Sequence, residues 1–428
     1  MHMPGHKGAG PLGAEERDIT EIAGADVLSL ADGIIAESEE NASRLFGTAH
    51  TFYSTEGSTH AIKSMLYLAL VSRKTDTPPV VLAARNVHKA FVNAAALLDL
   101  SVIWMGEGTD HICKQNITPN AVKRALGAIN EMPFAVYVTS PDYLGNILDI
   151  RGISAVCREY GVPLLVDNAH GAYLAFLDES RHPISLGAAM CADSAHKTLP
   201  VLTGGAYLHI SPDYAELVQD ARRAMSVFAS TSPSYLTLQS LDLCNRYLDD
   251  GYADRLRRFV IRLSELRIEL AAAGAYVEDS EPMKLTFRAS DFCRGGVYFA
   301  DRLRAFGIEP EMADDDYVVL MLTPEVGEDA LSRILDCVRS LDIMPPRGTG
   351  IVAISADYPR AVMSIREAML SPSEMVPVSD SVGRIAASPT VGCPPAVPIV
   401  VSGELIDEGV REMLERYGIT SIAVVKKR

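Results

Sequence analysis

Residues 163–177 read PLLVDNAHGAYLAFL, and residues 184–210 read ISLGAAMCADSAHKTLPVLTGGAYLHI. Three apolar runs of strand length lie in this region. Val162 to Val166 ends on Asp167, and Ala188 to Cys191 leads through Ala192 and Asp193 into Ser194-Ala195-His196-Lys197-Thr198. Gly205 to Ile210 follows a Thr-Gly-Gly turn. A carboxylate, an imidazole, a hydroxyl and a lysine therefore gather at the ends of neighbouring strands, where open α/β sheets bind ligands.

Taken alone, a lysine beyond a buried strand reads as a surface residue at a strand end. Its company points elsewhere. A lysine that bonds a carbonyl cofactor needs partial desolvation to lower its pKa, and a pyridoxal phosphate (PLP) ring needs a carboxylate to keep its nitrogen protonated. Lys197 and Asp167 supply that pair.

Outward from this centre, helical and strand patterns alternate, as a right-handed and mainly parallel sheet requires. Asp32 to Phe46 reads as an amphipathic helix. Thr51 to Thr59 leads into an apolar helix over Ala61 to Val71. Gly57, Ser58 and Thr59 open that helix, where backbone N–H groups, two hydroxyls and the positive end of the dipole suit a phosphate; an ordinary N-cap has the same appearance. Val80 to Ala83 reads as a strand, with Arg85-Asn86-Val87-His88-Lys89 after it and a helix through Leu98. Ser101 to Met105 and Phe134 to Thr139 are further strands, with a helix from Pro119 to Ile129 between them and another from Ile153 to Tyr160 before the Asp167 strand. After Ile210 the pattern turns helical, over Pro212 to Met225, from the Ser232-Pro233-Ser234-Tyr235 cap to Leu248, and over Gly251 to Ala273. Lys284 to Arg288, Val297 to Phe306 and Tyr317 to Leu322 indicate a smaller α+β domain. Pro345 to Gly350 reads as a linker. The division expected is an arm over 1–30, a large domain over 31–250, a small domain over 251–345 and a C-terminal domain over 346–428.

Composition sets the class. The 428 residues are 48% hydrophobic and 22% charged, enough to bury a large core in two or three domains. A net charge of −16 argues against nucleic acid and anionic membrane as partners and is compatible with a cationic substrate. The seven cysteines are scattered without metal-ligand spacing, so buried free thiols and no metal are expected. No apolar run is long enough to span a bilayer and no leader pattern opens the chain, which implies a cytoplasmic location. There is no internal repeat and no low-complexity segment.

The tetrad Ser194-Ala195-His196-Lys197, the pentad Asp167 to Gly171, the opening Met3-Pro4-Gly5-His6-Lys7-Gly8, the segment Arg85 to Lys89 and Ser232 to Tyr235 together resemble the Orn/Lys/Arg decarboxylase family, in its short bacterial form. The resemblance runs in order to about Glu404. It implies an α/β fold, the fold-type-I large domain of PLP-dependent transferases with a mainly parallel sheet, plus a smaller α+β domain and a C-terminal domain. It implies PLP as cofactor, a basic amino acid as substrate, decarboxylation as the reaction, a role in polyamine biosynthesis, and a homodimer or higher homo-oligomer with shared active sites, in which Thr203 reaches the partner's phosphate. The catalytic set is then Lys197, His196 and Asp167. Gly57, Ser58, Thr59, Ser194 and His196 hold the phosphate, His88 stacks on the ring, and His170 sits beside Asp167 or the ring hydroxyl. Either Lys197 or His196 reprotonates the product carbon.

The chain also departs from the family. Glu56 stands where Asn is common and is expected to point away from the phosphate. Asp142 replaces Thr, Leu144 replaces an aromatic, PPGIP has become Pro394 to Pro398 with Ala396, and PGE has become Ser402-Gly403-Glu404. The helix that usually precedes the PGHK motif does not precede Pro4, so it is absent or the start is misplaced. Other fold-type-I reactions, transamination with Arg288 as carboxylate holder or aldol cleavage, share Asp167 and Lys197; a catalytically idle homologue is a further alternative.

Overall fold

The computed structural model describes residues 2–73, 79–106, 109–345, 358–391 and 396–427. The expected linker, its first residue aside, and Cys393 to Pro395 lie outside them. The chain divides into two compact units. One comprises Met1–Ala83, Thr118–Ser140 and Asp149–Asp254, the other Ala84–Ile117, Pro141–Leu148 and Arg255–Arg428.

The first unit is built on a sheet whose strand order is His50–Ser54, Ala206–Ile210, Met190–Asp193, Leu164–Asp167, Ala135–Thr139, Val80–Ala84. The last four run parallel, and Ala206–Ile210 is antiparallel to both of its neighbours. The strands at its centre are continuous apolar runs because both faces are covered. Leu164, Leu165, Val166, Met190, Cys191 and Ala192 are all buried. Each of the two central parallel strands carries its aspartate as its last residue, Asp167 and Asp193, with Asp167 in register with Ala192.

The helices follow their sequence signals to within a few residues. Ile34–Phe46 ends on left-handed Gly47, and Pro119–Ala128 is capped by the Thr118 hydroxyl, which accepts from the Ala121 N–H at 3.2 Å. Tyr235–Asp249 is capped by Ser234 through the Thr237 N–H. Gly57–Ser72 starts earlier than its apolar run, so Gly57, Ser58 and Thr59 form its first turn. The segment after Ile210 differs from expectation: Pro212–Leu217 is a 3-10 helix and the α-helix is Val218–Phe228.

In the second unit Lys284–Arg288 pairs antiparallel with Tyr317–Met321, which pairs with Met312–Ala313. The C-terminal part adds Ser373–Pro377 antiparallel to Ser421–Val425, and Thr390–Val391 antiparallel to Pro398–Val400. One core gathers Cys113, Leu144, Val319, Ile399, Leu414 and Val424, from four distant segments. Leu144, which replaces a family aromatic, is thus a core residue. Asp142 is buried with its carboxylate on the Asn146 backbone N–H at 3.0 Å and side-chain amide at 2.7 Å. Burial pushes the Asp142 carboxyl up, against those hydrogen bonds and the charge of Lys284. Both departures are therefore spent on packing the loop. Among the described residues no helix is long and apolar enough to cross a membrane.

Ala396 keeps the backbone that the replaced glycine would have: its φ is +57°, a left-handed conformation that disfavours a Cβ by roughly 1–2 kcal/mol. The turn persists because the Ala396 carbonyl accepts from the Lys89 N–H at 3.0 Å. Restoring glycine relieves that strain, offset in part by the greater entropy glycine gives the unfolded chain, so Ala396→Gly should stabilise the protein by ~0.5–1 kcal/mol. Urea unfolding of the two forms side by side measures it; a destabilised variant would contradict the strain.

Candidate active site

Lys197 lies on the one-turn helix Ala195–Thr198, directly after the Asp193 strand. Its Nζ is 2.9 Å from His170 Nε2, on the turn that follows Asp167. An imidazole so placed accepts a hydrogen from the amine and is a proton acceptor for it. The contact gives His170 a partner in the lysine as well as its place two residues beyond Asn168.

Asp167 is almost fully buried. Its Oδ1 accepts from the Ala169 N–H at 3.2 Å and its Oδ2 from the Tyr137 hydroxyl at 3.3 Å. Burial pushes its carboxyl up to about 6, against the charge of Lys197 and these two hydrogen bonds. A buried carboxylate with only long hydrogen bonds is under-compensated. A cationic N–H set against it would supply what it lacks, as a protonated pyridine nitrogen does.

The hydroxyl motifs converge as well. Ser194 donates to the Ser58 hydroxyl at 2.7 Å, which joins the turn before Lys197 to the first turn of the Gly57–Ser72 helix. Gly57 has a φ of +73° and donates its N–H to the Gly204 carbonyl at 2.7 Å. Gly204 itself has no room for a side chain, because a Cβ there would sit 2.7 Å from the Thr55 carbonyl oxygen. The result is a helix N-terminus, two hydroxyls and a close-packed glycine turn, a donor set that fits a phosphate. His196 donates from Nδ1 to the Gly205 carbonyl at 3.1 Å, which fixes its tautomer. Glu56 is engaged elsewhere: its carboxylate accepts from the Ser230 N–H at 2.6 Å.

Gly57, Ser58, Thr59, Asp167, His170, Ser194, His196 and Lys197 thus all belong to the first unit. His88 belongs to the second, where its Nδ1 accepts from the Ala90 N–H at 3.1 Å and caps the helix Lys89–Leu98. In that unit Arg85 pairs with Glu404 at 3.0 Å, both buried, and Glu404 also accepts from the Val401 N–H. Glu404 is therefore a support of the Arg85–Lys89 segment. Arg288, the candidate carboxylate holder of a transaminase, is within 3.9 Å of Asp110 and 3.5 Å of Asp291.

Four residues with no role assigned from sequence belong to this environment: Asn168, His182, Asp193 and His209. Asn168 donates to Asp193, and both histidines point at the same carboxylate. The signal was the alternation Cys191-Ala192-Asp193 opposite Tyr207-Leu208-His209, which sends Cys191, Asp193 and His209 to one face once the register is known. The position of His182 had no such signal.

Residues 14–286 match the major domain of the Orn/Lys/Arg decarboxylases and residues 354–418 match their C-terminal domain. An uncharacterized protein of Bacillus subtilis is 29% identical over 97% of this chain and 90% of its own length. The arginine decarboxylase of Halalkalibacterium halodurans is 28% identical over 95% and 88%. The solved constitutive lysine decarboxylase of Escherichia coli superposes with a TM-score of 0.77 at 17% identity, over 99% of this chain and 79% of that one. The architecture is that of fold-type-I PLP enzymes.

The raised pKa of Asp167 has a consequence for stability. Between the ordinary carboxylate value of 3.8 and about 6 the native protein holds a proton that the unfolded chain has released. Stability of the cofactor-free protein should therefore fall as pH rises through that window and level off above it, by on the order of 3 kcal/mol. Asp167→Asn removes this contribution. Urea unfolding at pH 4.5 and 7.5 should show the variant gaining on the wild type at the higher pH.

Proposed function

Since the chain belongs to the Orn/Lys/Arg decarboxylase family, we propose that it uses PLP to remove the α-carboxyl group of lysine, ornithine or arginine, releasing CO2 and the corresponding amine. The observation that carries this is the meeting, within one unit, of Lys197 on His170, the under-compensated Asp167, and the Ser58–Ser194 hydroxyl pair at a helix N-terminus. The engagement of Arg288 by two aspartates speaks against transamination.

When bound, PLP supplies an electron sink for the pair left as the bond from Cα to the carboxylate breaks. The protein prepares that chemistry. Lys197 would hold the cofactor, and His170, 2.9 Å from Nζ, is placed to take the proton that the amine must lose before it can react. Asp167 would pair with the ring nitrogen and keep it protonated, a charge pairing that would lower the carboxyl from its cofactor-free value. The N–H groups of the first helical turn, with Ser58, Thr59 and Ser194, hold the phosphate. Lys197 or His196 returns a proton to the substrate carbon. A negative chain suits a substrate with a cationic side chain. The enzyme acts as a homodimer or larger assembly in the cytoplasm, with exposed Thr203 facing the partner's phosphate site.

Incubation with lysine, ornithine and arginine should yield CO2 with cadaverine, putrescine or agmatine from at least one of them; silence with all three would reject the substrate class. Lys197→Ala should abolish turnover and the borohydride-fixed cofactor adduct seen by mass spectrometry, with circular dichroism unchanged. Asp167→Asn should bind cofactor yet lower kcat by roughly 10²-fold or more, with KM little changed, because its charge matters most as the electron pair develops.

A further inference from the structure

Asp193 closes its strand one residue before Ser194, and its carboxylate is fully buried. Oδ2 is 3.0 Å from His182 Nε2 and 3.2 Å from His209 Nε2, while Oδ1 accepts from the Asn168 amide at 2.7 Å. Nδ1 of His209 meets the Thr51 hydroxyl at 2.8 Å, and Nδ1 of His182 is buried with no hydrogen-bond partner.

Counting hydrogens fixes the charge. A carboxylate only accepts, so each Nε2 aimed at Oδ2 must carry a hydrogen. Thr51 meets Nδ1 of His209 and also the Thr48 hydroxyl at 2.8 Å, so this contact serves a bare or a protonated Nδ1, and burial of the ring favours the bare one. A bare Nδ1 on His182 leaves one unpaired acceptor, whereas a proton there would leave a buried unpaired donor or a second buried charge, both more costly. Burial also lowers the pKa of His209, against the pull of Asp193. The three side chains do gather ligand atoms in the manner of a metal site. A cation on both Nε2 atoms would put a hydrogen on both Nδ1 atoms and strand that of His182. The cluster is therefore two neutral imidazoles around one anion.

This anion lies behind Asp167. Asn168, which follows Asp167, donates its backbone N–H to the Ala192 carbonyl at 2.9 Å and its amide to Asp193. A Cβ on Gly171 would sit 2.1 Å from Asn168 Oδ1, so the turn is closed around this side chain. Burial is the main cause of the raised Asp167 carboxyl, and the charge of Asp193 adds to it in the same direction. The groups facing Asp167 include Tyr137 from the neighbouring strand and Lys197 from its helix, while Asp193, one residue past the Ala192 in register with Asp167, lies on the other face of the sheet; those facing Asp193 are His182, His209, Asn168, Cys191 and Tyr207.

We infer that Asp193 is a positioning residue for the reaction: a second buried anion that favours a cationic ring nitrogen at Asp167 and, through Asn168, holds the turn on which Asp167 sits. The inference rests on the PLP reading above. Asp193→Asn keeps the size of the side chain and removes one charge; its amide oxygen still accepts from Asn168, while both imidazoles must shift their hydrogen to Nδ1 to accept from its NH2, so a fall in Tm is expected whatever the midpoint does.

The test follows PLP association with the cofactor-free enzyme by absorbance across pH. Asp167 must be ionised to pair with the ring, so the acid midpoint in Asp193→Asn should move to lower pH than in the wild type. Affinity at pH 8 should weaken several-fold, and kcat should fall with KM held. In the wild type, 15N NMR should show His182 and His209 each carrying a hydrogen on Nε2, a measurement that decides even if the variant fails to fold. An unmoved midpoint with only a lower Tm, a cationic imidazole in the pair, or one equivalent of zinc that the variant lacks would each overturn the inference. A wild type that binds no PLP sinks the functional reading as well, whereas binding with an unmoved midpoint sinks this one alone.

Discussion

Asp167 is a carboxylate whose burial outweighs what the charge of Lys197 returns to it. Its two hydrogen bonds, at 3.2 and 3.3 Å, do not repay the loss of water, and its proton affinity rises accordingly. A protein keeps such a group only where something else completes it. Its place at the end of a central parallel strand, one strand away from the segment that leads to Lys197, suits it to the ring nitrogen of the proposed cofactor. Ser194, Ser58 and the glycines at 57 and 204 are arranged at the opposite requirement, the anionic end of the same molecule. A site with a buried anion at one end and donors at the other is polarised before any ligand arrives, which is the preorganisation that electrostatic catalysis needs.

How much of this the sequence discloses depends on whether the signal is local. The strands around Asp167 and Lys197 are legible because a parallel sheet covered on both faces demands unbroken apolar runs, and these end on the chemistry. The Tyr235–Asp249 helix is legible from Ser234, its capping residue. The segment from Pro212 is misread because an amphipathic period does not distinguish a 3-10 start from an α-helix, and Tyr214, at φ −130°, breaks the regularity there. The pairing of His170 with Lys197 and the cluster around Asp193 are not legible at all. They depend on strand register and on where a loop returns His182, which are properties of the assembled sheet.

The family departures show the same division. Ala396 in place of glycine is visible in the sequence as a threat to a turn, yet the turn stays because the Lys89 N–H is bonded to its carbonyl. Glu404 reads as a possible substrate contact until Arg85 is seen beside it, both buried, with a second bond to the Val401 N–H. Burial raises the Glu404 carboxyl while the Arg85 charge lowers it, so the ion pair keeps it ionised only as long as the arginine stays. Together Arg85–Glu404 and Lys89–Ala396 tie both ends of the segment that carries His88 to the C-terminal part of the chain. The C-terminal motifs are then read most directly as the clamp on that segment.

Net charge and local charge also act at different ranges. The excess of 16 negative charges is spread over a surface where salt screens it within about 10 Å, so it bears on the approach of a cation and little on chemistry at Lys197. Asp193 is one charge, but it is fully buried on the strand next to Asp167 and is held by two imidazoles, an amide and, at 3.7 Å, the Cys191 thiol. At that depth a single charge outweighs many on the surface, because the interior does not screen it. On the reading proposed above, the charges nearest the chemistry are those that end two adjacent strands, and the composition of the chain bears on what is drawn toward them.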